Sequence, residues 1–301
     1  MRYQLSGDHH IFSFDKENKP VLQINSGDEV EIETMDCFAN QICTDDDKLE
    51  TLDWQRVNPA TGPVFVNGAE PGDVLKVTIQ KIQIAGQGVV ATGKGLGVLG
   101  HLMEDLYSKI VMIKDGQVVY NEKIAFPLHP MVGVIGVAPA GEGVNCGTPG
   151  SHGGNMDTKL IGEGAVLYLP VFVEGALFGL GDLHAAMGDG EIGVSGVEVA
   201  GKVLVKLEVI KGITLNNPVV QTPEVTATIA SALTLDEAAD IAVADMANLL
   251  QKHTPLSMAE IATLMSAAGD LQISQVVDPL KTVRFSMPNQ ILASYGVEFG
   301  K

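Results

Sequence analysis

Over its first 220 or so residues the chain repeats one pattern: a short run rich in Val and Ile, closed by Gly, Pro, Asp or Asn. Residues 21–24, 30–34, 74–79, 110–113, 166–169 and 203–209 have the length and β-branched content of strands. Between such runs, Asn25-Ser26-Gly27-Asp28, Glu70-Pro71-Gly72-Asp73 and Lys114-Asp115-Gly116-Gln117 carry the residues that reverse a chain within a few positions. No amphipathic segment of helical length alternates with these runs. That argues against a doubly wound parallel sheet and predicts an antiparallel sandwich or barrel-like body.

The pattern changes near residue 225. Thr234-Leu235-Asp236-Glu237 and Ser257-Met258-Ala259-Glu260 are capping boxes, in which the hydroxyl accepts from the third helical amide and the glutamate reaches back to the cap's own amide. The first predicts a helix with Ala238, Ile241, Ala242, Met246, Leu249 and Leu250 at helical spacing, ending near His253 ahead of Pro255. The second carries Ile261, Leu264 and Met265 and stops near Gly269, a residue suited to the left-handed C′ position. Residues 271–277 and 282–287 read as two further strands. The fold expected is mainly β, with a catalytic body over residues 1–220 and an α+β subdomain over 221–301 packed against it.

Charge narrows the partners. The 19 Lys+Arg against 37 Asp+Glu leave a formal charge of −18, with no basic run to displace counterions from phosphates. Nucleic acid and anionic membrane surfaces are therefore not expected partners. No apolar stretch approaches the roughly 18 residues of a spanning helix, and the N-terminus lacks the apolar core of a secretory signal, so a cytoplasmic protein is expected. Cys37, Cys43 and Cys146 show no CxxC spacing, which indicates neither a disulfide framework nor a cysteine zinc site.

Chemistry-bearing residues concentrate in two turn-rich segments. In residues 181–191, Asp182 and His184 are one residue apart; on an extended strand both would leave the same face about 7 Å apart, so that two ligands meet one ion. Glu191 lies past Gly188-Asp189-Gly190 and can fold back as a third ligand or general base. Such a set suits zinc or another divalent ion. The alternative is a plain hairpin turn at Asp189-Gly190 with a satisfied, buried His184. In residues 147–157, His152-Gly153-Gly154-Asn155 lets the backbone approach a small substrate, with the Gly153 or Gly154 amide donating to an oxyanion and Asn155 binding a carbonyl or amide. The alternative is a crossing loop whose Asn155 and Asp157 cap turns. Asp36 ends an early strand and either approaches the same pocket or caps a turn. Asp45-Asp46-Asp47 lacks calcium-loop spacing, and the GxGxxG within the glycine series 93–100 sits in no βαβ unit.

Residues 58–73, Gly133-Val134-Ile135-Gly136-Val137-Ala138-Pro139, Gly150-Ser151-His152-Gly153-Gly154-Asn155-Met156-Asp157 and the block 169–191, ending Gly181-Asp182-Leu183-His184-Ala185-Ala186-Met187-Gly188-Asp189-Gly190-Glu191, together resemble the acetamidase/formamidase family, in order and across nearly the whole chain. The resemblance implies a β-rich body with a smaller α+β part, a homo-oligomer, and hydrolysis of a short aliphatic amide to carboxylate and ammonia at a metal-assisted site. It marks His152, Asn155, Asp157, Asp182, His184, Glu191 and Asp36 as site residues. Asn58 stands where the family motif often has His, and Met187 where it often has Gln. The chain is short for the formamidase branch, which points to the acetamidase-like one or to an untested relative.

The combined expectation is an amidohydrolase in which Asp36, Asp182 and His184 hold a divalent ion, zinc ahead of calcium or another metal. Glu191 or Asp157 moves the proton, and Asn155 with the Gly153-Gly154 amides faces the oxyanion. Two other readings stand beside it. One uses Cys146 as nucleophile with Glu142 and Lys159; the other is a β protein that binds a metal or small ligand without cleaving anything.

Overall fold

The computed structural model describes residues 1–296. It is mainly β. One sheet of nine strands runs in the order Arg2–Leu5, Glu29–Thr34, Gly201–Ile210, Val74–Ile84, Val166–Pro170, Val219–Gln221, Val225–Ala232, Lys281–Pro288, Asp270–Gln275. A second sheet of eleven strands has Phe178–His184 and Met131–Gly136 near its middle and the hairpin Gln117–Val119/Ala125–Pro127 at one edge. Pairing is antiparallel except between Arg2–Leu5 and Glu29–Thr34 and between Leu22–Asn25 and Ala60–Asn67. The main core lies between the sheets, where Val77, Ile79, Leu167 and Val205 meet Val132, Ile135, Leu180 and Leu183. The alternation in Glu29–Thr34 shows why such a strand forms here: Val30, Ile32 and Thr34 are buried, and the glutamates between them point outward.

Both capping boxes are present, at Thr234 before helix Leu235–His253 and at Ser257 before helix Met258–Ala268. The helices lie on one face of the nine-stranded sheet over a separate apolar cluster that includes Met246, Leu250, Ile261, Met265, Val283, Phe285 and Met287. Gly269 is not left-handed. Its φ is −97°, and a Cβ there would come within 2.4 Å of the Phe285 ring, so close approach of the sheet, not backbone handedness, requires a glycine. The strands of the C-terminal segment extend the nine-stranded sheet without a break. Among the described residues no helix is long and apolar enough to cross a membrane.

Candidate active site

Strand Phe178–His184 runs antiparallel to Met131–Gly136 on one side; on the other it pairs with Ala60–Asn67 up to Gly181 and with Glu198–Val199 from Leu183 onward. Asp182 sits at this change of partner with φ of 54°, in the left-handed region that costs an ordinary side chain free energy. Asp182 and His184 share one strand, Phe178–His184, and the departure from extended geometry falls at Asp182 itself. The side chains still meet, with Asp182 Oδ1 3.5 Å from His184 Nε2. Asp157 and Glu191 are also left-handed, at φ of 42° and 47°. Three of the non-glycine residues held in this sparsely populated conformation are thus acidic groups around one histidine.

Four carboxylates converge on His184 Nε2: Glu198 at 3.2 Å, Asp182 at 3.5 Å, Asp157 at 3.7 Å and Glu191 at 4.0 Å, all buried. Two glycines make the room. A Cβ on Gly133 would come 2.5 Å from Asp157 Oδ1 and 2.7 Å from Asp182 Oδ2, and one on Gly196 would come 2.7 Å from His184 Nδ1. Burial pushes Asp157 up to about 7 and Glu198 up to about 8; His184 opposes the rise and Asp182 adds to it. Burial and the neighbouring Asp157 carry Glu191 well above the usual carboxylate range. Burial alone would lower His184, but Glu198 and Asp182 together outweigh it and hold the imidazole well above its ordinary value.

The other expected residues fall around this centre. Asn155 donates from Nδ2 to Asp278 Oδ2 at 3.2 Å, and its Oδ1 is buried without a partner. The Gly153 amide already donates to Gly150 O at 3.0 Å, which removes it from the expected oxyanion role. His152 is buried, packs edge-on against Phe14 at 5.5 Å, and burial lowers it to about 4, so it is neutral near pH 7. Asp36 accepts from the Asn40 amide at 2.7 Å and closes a turn; burial raises it to about 6. Among the described residues two tight ligand sets occur, Asp157–His184–Glu191 and Cys37–Asp182–Glu198, and neither includes Asp36. The thiol arrangement is not assembled: Cys146 is buried with Phe14, Ala60 and Val134, its thiol pushed up by burial to about 12, and Lys159 lies 3.0 Å from Asp189.

Three participants lie outside the two polar blocks of the sequence. Glu198 is a lone acid in the apolar run Val197-Glu198-Val199, opposite His184 in the sheet. Cys37 lies beside Glu198 and Asp182. Asp278 arrives from the C-terminal segment. A single charge inside a buried apolar strand is the signal that could have flagged Glu198.

The segment before Glu191 is anchored from the C-terminal strands. Arg284 is fully buried and grips Asp189 through both oxygens, at 2.9 and 2.7 Å. The Gly190 amide donates to Ser274 O at 2.8 Å, and the Val276 amide donates back to Gly190 O at 3.2 Å. Asp189-Gly190 is thus not a free hairpin turn.

The donor set fits a divalent cation. Both oxygens of Asp157, Asp182 Oδ1 and His184 Nδ1 are buried with no hydrogen bond, an expensive arrangement for charged groups unless a cation or protons compensate. Carboxylate oxygen with imidazole nitrogen is the chemistry of zinc more than of calcium, which prefers oxygen alone.

This chain is similar to proteins of known structure along its whole length. The crystal structure of a predicted acetamidase/formamidase from Thermoanaerobacter tengcongensis superposes with a TM-score of 0.98 at 70% identity, covering 99% of both chains. An acetamidase from Bacillus halodurans gives 0.96 at 49% identity, covering 98% of this chain and 100% of that one. The formamidase of Methylophilus methylotrophus is 29% identical over 277 residues, 69% of this chain and 67% of that one. This chain spans 61 to 67% of the length of the curated relatives it matches. The model of the Acetamidase/Formamidase family matches residues 13–148 and 140–294, and the chain belongs to that family.

Proposed function

We propose that this chain hydrolyses a short aliphatic amide, acetamide or formamide, to carboxylate and ammonia at the cluster around His184. The observation that carries this reading is the burial of four carboxylates around one imidazole, with oxygens of Asp157 and Asp182 left unbonded, in a member of this family. Asp182, His184 and Asp157 would hold the divalent cation; Asp36 engages Oδ1 in its turn with Asn40, which leaves Oδ2 for the same ion. When bound, the cation polarises the amide carbonyl and makes a nearby water more acidic. Glu191, kept ionised by the cation's charge and not itself a ligand, takes the proton of the attacking water and returns it to the departing nitrogen. The free Oδ1 of Asn155 accepts from the substrate's NH2 group, which orients the carbonyl.

Ammonia release from acetamide and formamide, measured before chelation, after it and after zinc add-back, tests this reading. Activity should vanish on chelation and return with metal. Turnover that survives complete metal removal refutes the metal-assisted mechanism, and no ammonia from either amide with the metal-loaded protein refutes the hydrolysis.

A further inference from the structure

A cavity of about 530 Å³ opens beside the cluster, between the edge hairpin Gln117–Val119/Ala125–Pro127 and the segment that carries Glu191. Its outer wall is firmly built. Phe126 pairs with Val118 across the hairpin, the Tyr120 amide donates to Ile124 O at 2.9 Å, and the Lys109 ammonium stands 4.3 Å over the Tyr120 ring. Met187 and Ile192 face it from the inner wall, with Glu191 between them. Gly196 also lines the cavity, and because its missing side chain would meet His184 Nδ1, only a backbone's thickness separates the cavity from the imidazole there. The cavities at Ser6, Glu33 and Thr34 and at Lys159 and Arg284 have no member of the cluster in their walls.

The lining has the polarity of an amphipathic ligand. Glu191 stands in one wall; aromatic, thioether and aliphatic side chains make up most of the remainder beside His129 and Ser195, and Asp189 on the wall is neutralised by Arg284 and Lys159. Acetamide and formamide have too few atoms to cover this surface, since an apolar cavity of about 150 Å³ already holds benzene. With a minimal substrate Ile192 would stay 47% exposed beside the site. We propose that the preferred substrate is a primary amide with an apolar acyl group of roughly four to eight carbons, its chain or ring lying against Tyr120, Phe126, Met187 and Ile192 and its amide at Glu191.

This proposal rests on the amide-hydrolysis reading, and the experiment separates the two. The metal-loaded protein is assayed for kcat/KM on acetamide, butyramide, hexanamide and benzamide. Each added methylene should raise kcat/KM by about three- to fourfold, the transfer value of a buried methylene, so hexanamide should exceed acetamide by at least about tenfold. Ile192→Asp and Phe126→Ser should each lower the hexanamide-to-acetamide ratio by about fivefold or more. A wild-type ratio at or below one, or a ratio unmoved by both variants, overturns the proposal while leaving hydrolysis intact. If no amide is cleaved, the hydrolysis reading falls, and calorimetric binding decides the cavity: hexanamide binding about tenfold tighter than acetamide supports it, and equal or undetectable binding overturns it.

Discussion

Cutting the Arg284–Asp189 clamp from either side should destabilise the protein unequally, in an order opposite to the number of atoms removed. Arg284→Met deletes the whole guanidinium but leaves Asp189 31% exposed with Lys159 still 3.0 Å away, so water and one cation compensate the carboxylate. Its cost belongs at the low end of the range for breaking a buried pair, about 3 kcal/mol. Asp189→Asn exchanges a single group, yet leaves a fully buried guanidinium with only neutral partners, Gln272 Oε1 at 3.1 Å and Ser274 Oγ at 3.1 Å. Its cost belongs at the upper end, about 5 kcal/mol. Urea unfolding gives the two free energies, and calorimetry should show a fall in Tm on the order of 10 °C for Asp189→Asn. The acid limb supplies a sign check. Burial raises Asp189, but hydrogen bonds from Arg284 outweigh it and hold the carboxyl below its ordinary 3.8, so the pair's stabilisation is present above about pH 4 and lost as pH falls through the lower folded value. Asp189→Asn should flatten that loss. The reasoning is refuted if Arg284→Met costs as much as Asp189→Asn, or if both cost less than about 1 kcal/mol.

Two further substitutions probe the centre. Gly133→Ala places a methyl 2.5 Å from Asp157 Oδ1 and 2.7 Å from Asp182 Oδ2, and should weaken zinc affinity and ammonia release by about 10- to 100-fold, read by metal titration and assay; unchanged zinc affinity would show that the two carboxylates are not ligands. Cys146→Ala removes a fully buried thiol and should cost about 1–2 kcal/mol in urea unfolding with turnover retained within about twofold. Lost turnover in a folded Cys146→Ala protein would restore the thiol mechanism.

Where the chemistry was local, the sequence was legible. The capping boxes at Thr234 and Ser257 form as written, because a hydroxyl and a glutamate three residues apart satisfy each other's amides whatever lies beyond. The expected strands at 30–34, 74–79 and 203–209 lie within Glu29–Thr34, Val74–Ile84 and Gly201–Ile210. The strand Val225–Ala232 lies just where the pattern turns helical; its β-branched Val225, Thr226, Thr228 and Ile229 are interleaved with Ala and Ser, and the sheet around them decides. Gly269 illustrates the converse: a glycine read for its backbone freedom is there because Phe285 leaves no space for a Cβ.

At the site the division is sharper. The two polar blocks at 150–157 and 181–191 stand out in the sequence because histidine, asparagine and carboxylates rarely crowd beside apolar strands without use. That Asp157, Asp182, Glu191 and Glu198 all surround one imidazole, that Asp278 reaches Asn155 and Arg284 reaches Asp189 from the far end of the chain, and that Asp36 closes a turn with Asn40 were decided only by the tertiary fold. The physical reason is that secondary structure depends on neighbours within a few residues, whereas a carboxylate's proton affinity and its fitness as a ligand depend on how much water is excluded and which charges stand within about 4 Å. No spacing along the chain encodes either.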